Sequence, residues 1–217
     1  MTRLLVVLDV DSTLIEDEVI ELIADHAGTR EAVAAVTERA MRGELDFAES
    51  LRERVATLRG VPVTALDDVR ARVQVTRGVP ELVAGIHAAG GAIAAVSGGF
   101  HEVLDPLADS LGLDRWRANR LGVADGVLTG VVDGPIRGAA AKAVALREWA
   151  AEFGVPMART VAIGDGANDL VMMEAAALSI AFDAKPRVRE AADVSLVERD
   201  LSAVLAALGL RCWDWAD

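Results

Sequence analysis

The chain has 217 residues, 53% of them hydrophobic, and a formal net charge of −12. At that length it can bury roughly 70% of its unfolded surface, enough for one or two cores. The acidic balance speaks against nucleic acid, whose backbone wants Lys/Arg stripes, and no apolar run reaches the roughly eighteen residues that span a bilayer.

In chain order, the first apolar run, Leu4 to Leu8, is too short for a signal-peptide core and is interrupted by Asp9. It reads as a buried parallel strand ending in Asp9-Val10-Asp11-Ser12-Thr13. Strand side chains alternate, so Asp9 and Asp11 are expected to point the same way. Carboxylates this close repel. A hard divalent cation would compensate them, and ligands of open α/β sheets bind at the carboxyl ends of strands. An acidic turn after a strand is the plainer alternative.

Four helices are predicted next, near 16–27, 29–42, 46–58 and 63–75, separated by Gly28, Gly43 and Gly60. Val19, Ile20, Ile23 and Ala27 keep helical spacing, as do Phe47, Leu51, Val55 and Leu58. This all-helical block interrupts an α/β pattern and reads as an inserted cap, residues 15–75, on a core made of 1–14 and 76–217. Helix 80–89 and strand 92–96 follow, the latter running into Ser97-Gly98-Gly99, then helix 100–111. Arg120 to Val132 alternates around Asp125-Gly126, a strong hairpin signal. Lys142 lies near the start of a helix-forming run. There it opposes the helix dipole and hints at a fixed anion, although a solvated surface lysine would look the same.

Strand 160–164 ends in Gly164-Asp165-Gly166-Ala167-Asn168-Asp169, and helix 168–176 and strand 178–182 complete the pattern. The expected fold is α/β: a doubly wound, Rossmann-like parallel sheet with an inserted helical cap and a small β-hairpin. A dinucleotide loop fits poorly, because Asp169 sits where the third glycine would be and would repel a pyrophosphate. His26, His87 and His101 lie outside the motifs and read as structural or surface residues. The lone Cys212 can make no internal disulfide, which suits a reducing cytoplasm.

Taken together and in order, these motifs resemble the haloacid dehalogenase superfamily of aspartate-nucleophile phosphatases. Asp9-Val10-Asp11-Ser12-Thr13 and Gly164-Asp165-Gly166-Ala167-Asn168-Asp169 are similar to its phosphoserine phosphatase branch in particular. The resemblance covers nearly the whole chain. It departs at the end, Arg211 to Asp217, and in the lack of an expected amino-terminal regulatory domain, since the first motif begins almost at Met1.

The resemblance implies that Asp9 attacks phosphorus and that Asp11 is the general acid and base. It implies Mg²⁺ held by the carboxylates of Asp9 and Asp165 and the backbone carbonyl of Asp11, with Asp169 behind them as an outer partner. Lys142, Ser97, Gly98 and Gly99 would neutralise phosphoryl oxygens, with Asn168 close to substrate. Glu18, Met41, Phe47 and Arg54 fall where the branch places cap-side substrate residues. Arg54 would clamp a carboxylate, Glu18 would accept an ammonium, and Met41 and Phe47 would form a lid.

The implied activity is hydrolysis of O-phospho-L-serine, the last step of serine biosynthesis, by a cytoplasmic monomer or homodimer. Its only partner is a small phosphomonoester. Cleavage of a related phosphomonoester, phosphoryl transfer to an alcohol, and a non-turnover phospho-aspartate signalling domain are the alternatives.

Overall fold

The computed structural model describes residues 2–42 and 44–210. For Met41 the description covers the backbone only, so its expected lid role lies outside it, as does the tail from Arg211 with Cys212.

The apolar run at the start forms β1 (Leu5–Leu8), whose four side chains are all buried. A run apolar on both faces needs cover on both, so it belongs in the middle of a parallel sheet. There it pairs in parallel with β2 (Ala92–Phe100) on one side and β5 (Thr160–Gly164) on the other, Val7 lying opposite both Ala94 and Ala162.

The whole sheet has the order β4-β3-β2-β1-β5-β6-β7, with β3 (Arg115–Ala124), β4 (Val127–Asp133), β6 (Leu178–Phe182) and β7 (Val194–Leu196). Only β3 and β4 run antiparallel, joined at Asp125 and Gly126, whose φ values of 51° and 77° are those the predicted hairpin turn requires.

Alternation sends Leu8, Ile93 and Ile163 to one face of the sheet and Val7, Ala94 and Ala162 to the other. The second face is covered by α7 (Ala139–Glu152), α8 (Leu170–Ala175) and α9 (Pro186–Ala191). The first is covered by α5 (Val79–Ala88), α6 (His101–Leu111) and α10 (Ala203–Ala207). Each fully buried aliphatic side chain stabilises this arrangement by about 1.5–3 kcal/mol.

The inserted block folds as α1 (Val19–Ala27), α2 (Arg30–Met41), α3 (Phe47–Ala56) and α4 (Ala65–Arg72). Its apolar residues, among them Ile23, Leu51, Val55, Leu66 and Val69, are continuous with the cluster on the first face of the sheet. Backbone hydrogen bonds close its root and tie its side to the hairpin. At its root Ile15 pairs with Val75, and Glu16 N donates to Gln74 O at 2.9 Å. Along its side, residues 60–63 extend the hairpin edge, with Gly60 N donating to Leu128 O and Leu128 N to Val61 O, both at 2.8 Å.

The first helix starts at Val19 rather than 16 because Glu16 and Asp17 are engaged with Gln74, and the fourth ends at Arg72 for the same reason. Strand β2 runs past 96 to Phe100, so the serine–glycine tripeptide is part of the strand. The predicted helix 168–176 divides into a single turn, Ala167–Asp169, and α8. The last three elements, α9, β7 and α10, had no counterpart in the sequence reading. Among the described residues no helix is long and apolar enough to cross a membrane.

Candidate active site

Strand β1 stops at Leu8, so strand alternation is not what brings Asp9 and Asp11 together. A tight turn over Val10–Leu14 does this instead, with Asp11 extended (φ −61°, ψ 133°) and Ser12 left-handed (φ 60°, ψ 0°). Asp9 is locked at the strand end, where its N donates to Ile163 O at 2.9 Å and its Oδ1 accepts from Val10 N at 2.7 Å.

Lys142 is no surface lysine. It is 1% exposed, and its Nζ lies 2.5 Å from Asp9 Oδ1 and 2.7 Å from Asp169 Oδ1. Helix α7 delivers it beneath the cavity floor rather than into the wall. Asp169, fully buried, also accepts from Gly166 N at 3.0 Å. A side chain at Gly164 would lie 2.4 Å from that carboxylate, so glycine is required there.

Carboxylate oxygens of Asp9, Asp165 and Asp169 lie within 4.8 Å of one another. Three buried or half-buried carboxylates against one lysine leave an uncompensated negative charge. Burial, then Asp169, pushes Asp9 well above the usual carboxylate range, with Lys142 pulling the other way. Burial and Asp169 likewise raise Asp165, opposed by Lys142 and Lys185. Burial works against the charge on Lys142, but Asp169 and Asp9 outweigh it and keep the ammonium above its ordinary value. The donor set is oxygen only, which suits a hard divalent cation such as Mg²⁺ and not zinc.

Asp11 plays a different part. Its Oδ1 accepts from Val19 N at 2.8 Å and its Oδ2 from Ser97 Oγ at 3.0 Å, and it lies outside the acidic triplet. Burial raises its pKa, the two hydrogen bonds opposing. A carboxyl whose pKa is raised by burial can give and take a proton. Ser97 is buried and spends its hydroxyl on Asp11 and on Gly99 N, so it braces the Asp11 carboxylate instead of facing the cavity.

Above this floor lies a cavity of about 490 Å³. Gly98, Gly99, Asp165 and Asn168 line it from the core, and Glu18, Phe47 and Arg54 from the helical block. Phe47 sits on the glycine strip, its Cζ 2.9 Å from where a side chain on Gly98 would begin.

Glu18 accepts from Ser12 Oγ at 3.0 Å, and Arg54 donates from Nε to Ser50 O at 3.3 Å. Among the described residues neither has an ion-pair partner within 4.0 Å. Burial, then Asp11, raises Glu18 to about 7. Burial depresses Arg54, which Glu18 and Asp11 partly offset.

Several residues at the site carried no signal that was read from the sequence. Asn119 donates to Gly98 O at 2.8 Å and accepts from Arg137 N at 2.6 Å, bracing the glycine strip. A buried Asn within a strand next to the apolar pattern was the available clue. Thr13 Oγ1 donates to Asp165 Oδ1 at 3.4 Å, Lys185 lines the cavity, and Arg199 reaches the turn at Ser12. The three histidines are structural as expected: His26, His87 and His101 each pair with an aspartate, and none lines the cavity.

A doubly wound sheet that gathers acidic residues from two strand ends under a helical insertion defines a class of hydrolase. The chain belongs to the haloacid dehalogenase-like hydrolases, whose family profile matches residues 6–174. Among known proteins it is 52% identical over 209 residues to a phosphoserine phosphatase of Mycobacterium tuberculosis, covering 96% of this chain and 51% of that one. It is 50% identical over 204 residues to a phosphoserine phosphatase of Streptococcus thermophilus, covering 94% and 95%. The chain spans about half the length of the M. tuberculosis and Streptomyces coelicolor relatives it matches. A solved phospho-aspartyl intermediate analogue of a phosphoserine phosphatase superposes with a TM-score of 0.90 at 40% identity, covering 95% of this chain and 99% of that one. A substrate-bound phosphoserine phosphatase complex matches equally well.

Proposed function

We propose that this chain is a Mg²⁺-dependent phosphoserine phosphatase, hydrolysing O-phospho-L-serine to L-serine and phosphate as the last step of serine biosynthesis. The observation that carries the reading is the pair Glu18 and Arg54. Both face the cavity, neither has an ion-pair partner among the described residues, and both look across at Asp9 and Asp11. A small zwitterion bearing a phosphate supplies a partner for each. Arg54 takes the carboxylate, Glu18 the ammonium, and Phe47 closes over the substrate.

In the core, Asp9 attacks phosphorus and the alkoxide leaves, giving an aspartyl phosphate that splits one hard step into two. Asp11 protonates the leaving oxygen, then accepts a proton from the water that cleaves the acyl phosphate. Lys142 holds Asp9 in register and offsets charge on the phosphoryl, helped by the N–H group of Gly98, while Gly99 N stays with Ser97 Oγ and Asn168 contacts substrate. Asp9, Asp165 and the Asp11 carbonyl would hold Mg²⁺, with Asp169 behind them. The ion supplies charge stabilisation at the phosphoryl oxygens. Residues 15–75 act as the cap that excludes water, and 1–14 with 76–217 as the catalytic core. The proposed form is a cytoplasmic monomer or homodimer.

The test compares substrates. Arg54→Ala should cost phosphoserine roughly 2–5 kcal/mol in kcat/KM, the scale for truncating one partner of a buried charge pair, and phosphoethanolamine much less. Glu18→Gln should show the converse, hurting aminated substrates most. Equal losses would leave a phosphatase for another small phosphomonoester, or a phosphotransferase.

A further inference from the structure

Among the described residues, three that are not glycine have left-handed backbone: Ser12 (φ 60°), Asp125 (φ 51°) and Asp183 (φ 42°). Asp125 is explained by its hairpin turn. The other two meet at one side chain. Arg199 donates from Nη1 to Asp183 Oδ2 at 2.9 Å and from Nη2 to Ser12 O at 3.3 Å, with its guanidinium 5.8 Å from the centre of the Phe182 ring. Strained backbone persists only where its surroundings over-determine it.

The strain at Ser12 has a visible product. In this conformation Ser12 N donates to Asp17 O at 3.3 Å and Ser12 Oγ donates to Glu18 Oε1 at 3.0 Å. That hydroxyl is the one side-chain donor to the Glu18 carboxylate among the described residues. Arg199 and Asp183 are 37% and 45% exposed, and an ion pair so wetted contributes little to stability. A stabilising role therefore accounts poorly for the clamp, whereas aiming Glu18 accounts for it well.

We infer that Arg199 and Ser12 are positioning residues for amine recognition. Arg199 holds the turn at Ser12 left-handed, and Ser12 aims Glu18 at the substrate ammonium. The inference rests on the phosphoserine reading above and assigns it a relay from the last loop of the core to the cap.

The test uses the full chain with Mg²⁺ and two substrates, phosphoserine and 3-phosphooxypropionate, which keeps the carboxylate and lacks the amine. Wild type should prefer phosphoserine. Ser12→Gly accepts the left-handed backbone and deletes the hydroxymethyl side chain that reaches Glu18. It should reduce that preference roughly tenfold, the scale of one hydrogen bond to a charged group, with the change in KM rather than kcat. Arg199→Met should reduce it about three- to tenfold by the same route, and Arg199→Lys should recover part of it. An unchanged preference in Ser12→Gly and Arg199→Met, or equal losses on both substrates, overturns the relay while leaving the phosphoserine reading intact. A wild type that does not distinguish the amine overturns both.

Discussion

Lys142→Met tests the electrostatics of the site most directly. Methionine keeps an unbranched apolar stem of similar length, so packing changes little, but the cation between Asp9 and Asp169 disappears. Removing one partner of a buried ion pair costs roughly 3–5 kcal/mol, and Lys142 serves two carboxylates, which points to the upper part of that range. Against a total stability of about 5–15 kcal/mol, the metal-free variant would be marginal.

The pH dependence has a definite sign. Burial already raises Asp9, and losing Lys142 raises it further, so its folded pKa stands above the unfolded value. Stability contributed by the protonated form is present in full below the unfolded pKa, about 4, and is lost as pH rises through the folded one. The deficit of Lys142→Met should therefore be larger at pH 8 than at pH 5. Added Mg²⁺ should recover part of it at pH 8 by binding the folded state alone. Urea unfolding of both proteins in chelator at the two pH values, then with Mg²⁺, measures all of this. A deficit at pH 8 below about 1 kcal/mol, or one equal at both pH values, would refute the reasoning.

Asp9→Asn should abolish turnover while circular dichroism stays native, and a trapped phosphoenzyme mapping to another residue would remove Asp9 from its role. Asp11→Asn should slow phosphoserine far more than an activated aryl phosphate, whose leaving group needs no proton; equal slowing would exclude Asp11 as the acid. Chelation should stop activity and Mg²⁺ restore it. Ca²⁺, with more ligands at longer distances, should restore it poorly, and activity surviving exhaustive chelation would count against the metal. Gly98→Ala places a methyl 2.9 Å from Phe47 and should cost about 1–3 kcal/mol, a loss that Phe47→Ala in the same chain relieves; additive effects of the two would show that the ring and the glycine do not meet.

The strand pattern and the acidic motifs were legible because each has a local cause. Val6 and Val7 are β-branched in an unbroken apolar run, and Asp125-Gly126 carries its turn type in its own chemistry. Lys142 was harder: its burial depends on Asp9 and Asp169, which are remote in sequence, and a lysine in a helical run gives no local sign of such partners. Asp9 and Asp11 were rightly placed at one site by the wrong geometry, since a strained turn at Ser12 replaces the expected strand. Ser97 was read as a phosphate contact and proves to be engaged by Asp11, a choice between two acceptors that only packing decides. Arg199 was invisible, because its targets are backbone and side-chain atoms of segments it does not adjoin.

The central place of β1 has a consequence for how the molecule comes into being. The strand that leads into Asp9 precedes in sequence both of its neighbours, β2 and β5, as well as Lys142, Asp165 and Asp169, so all of these are synthesised after it. Parallel pairings between such distant segments are slow to form, since the closing of each long loop precedes any reward from contact. Until those segments are made, the nascent chain carries Asp9 with neither Lys142 nor its acidic neighbours beside it. The buried cluster of Asp9, Lys142, Asp165 and Asp169 can therefore form only once β5 has closed against the first strand.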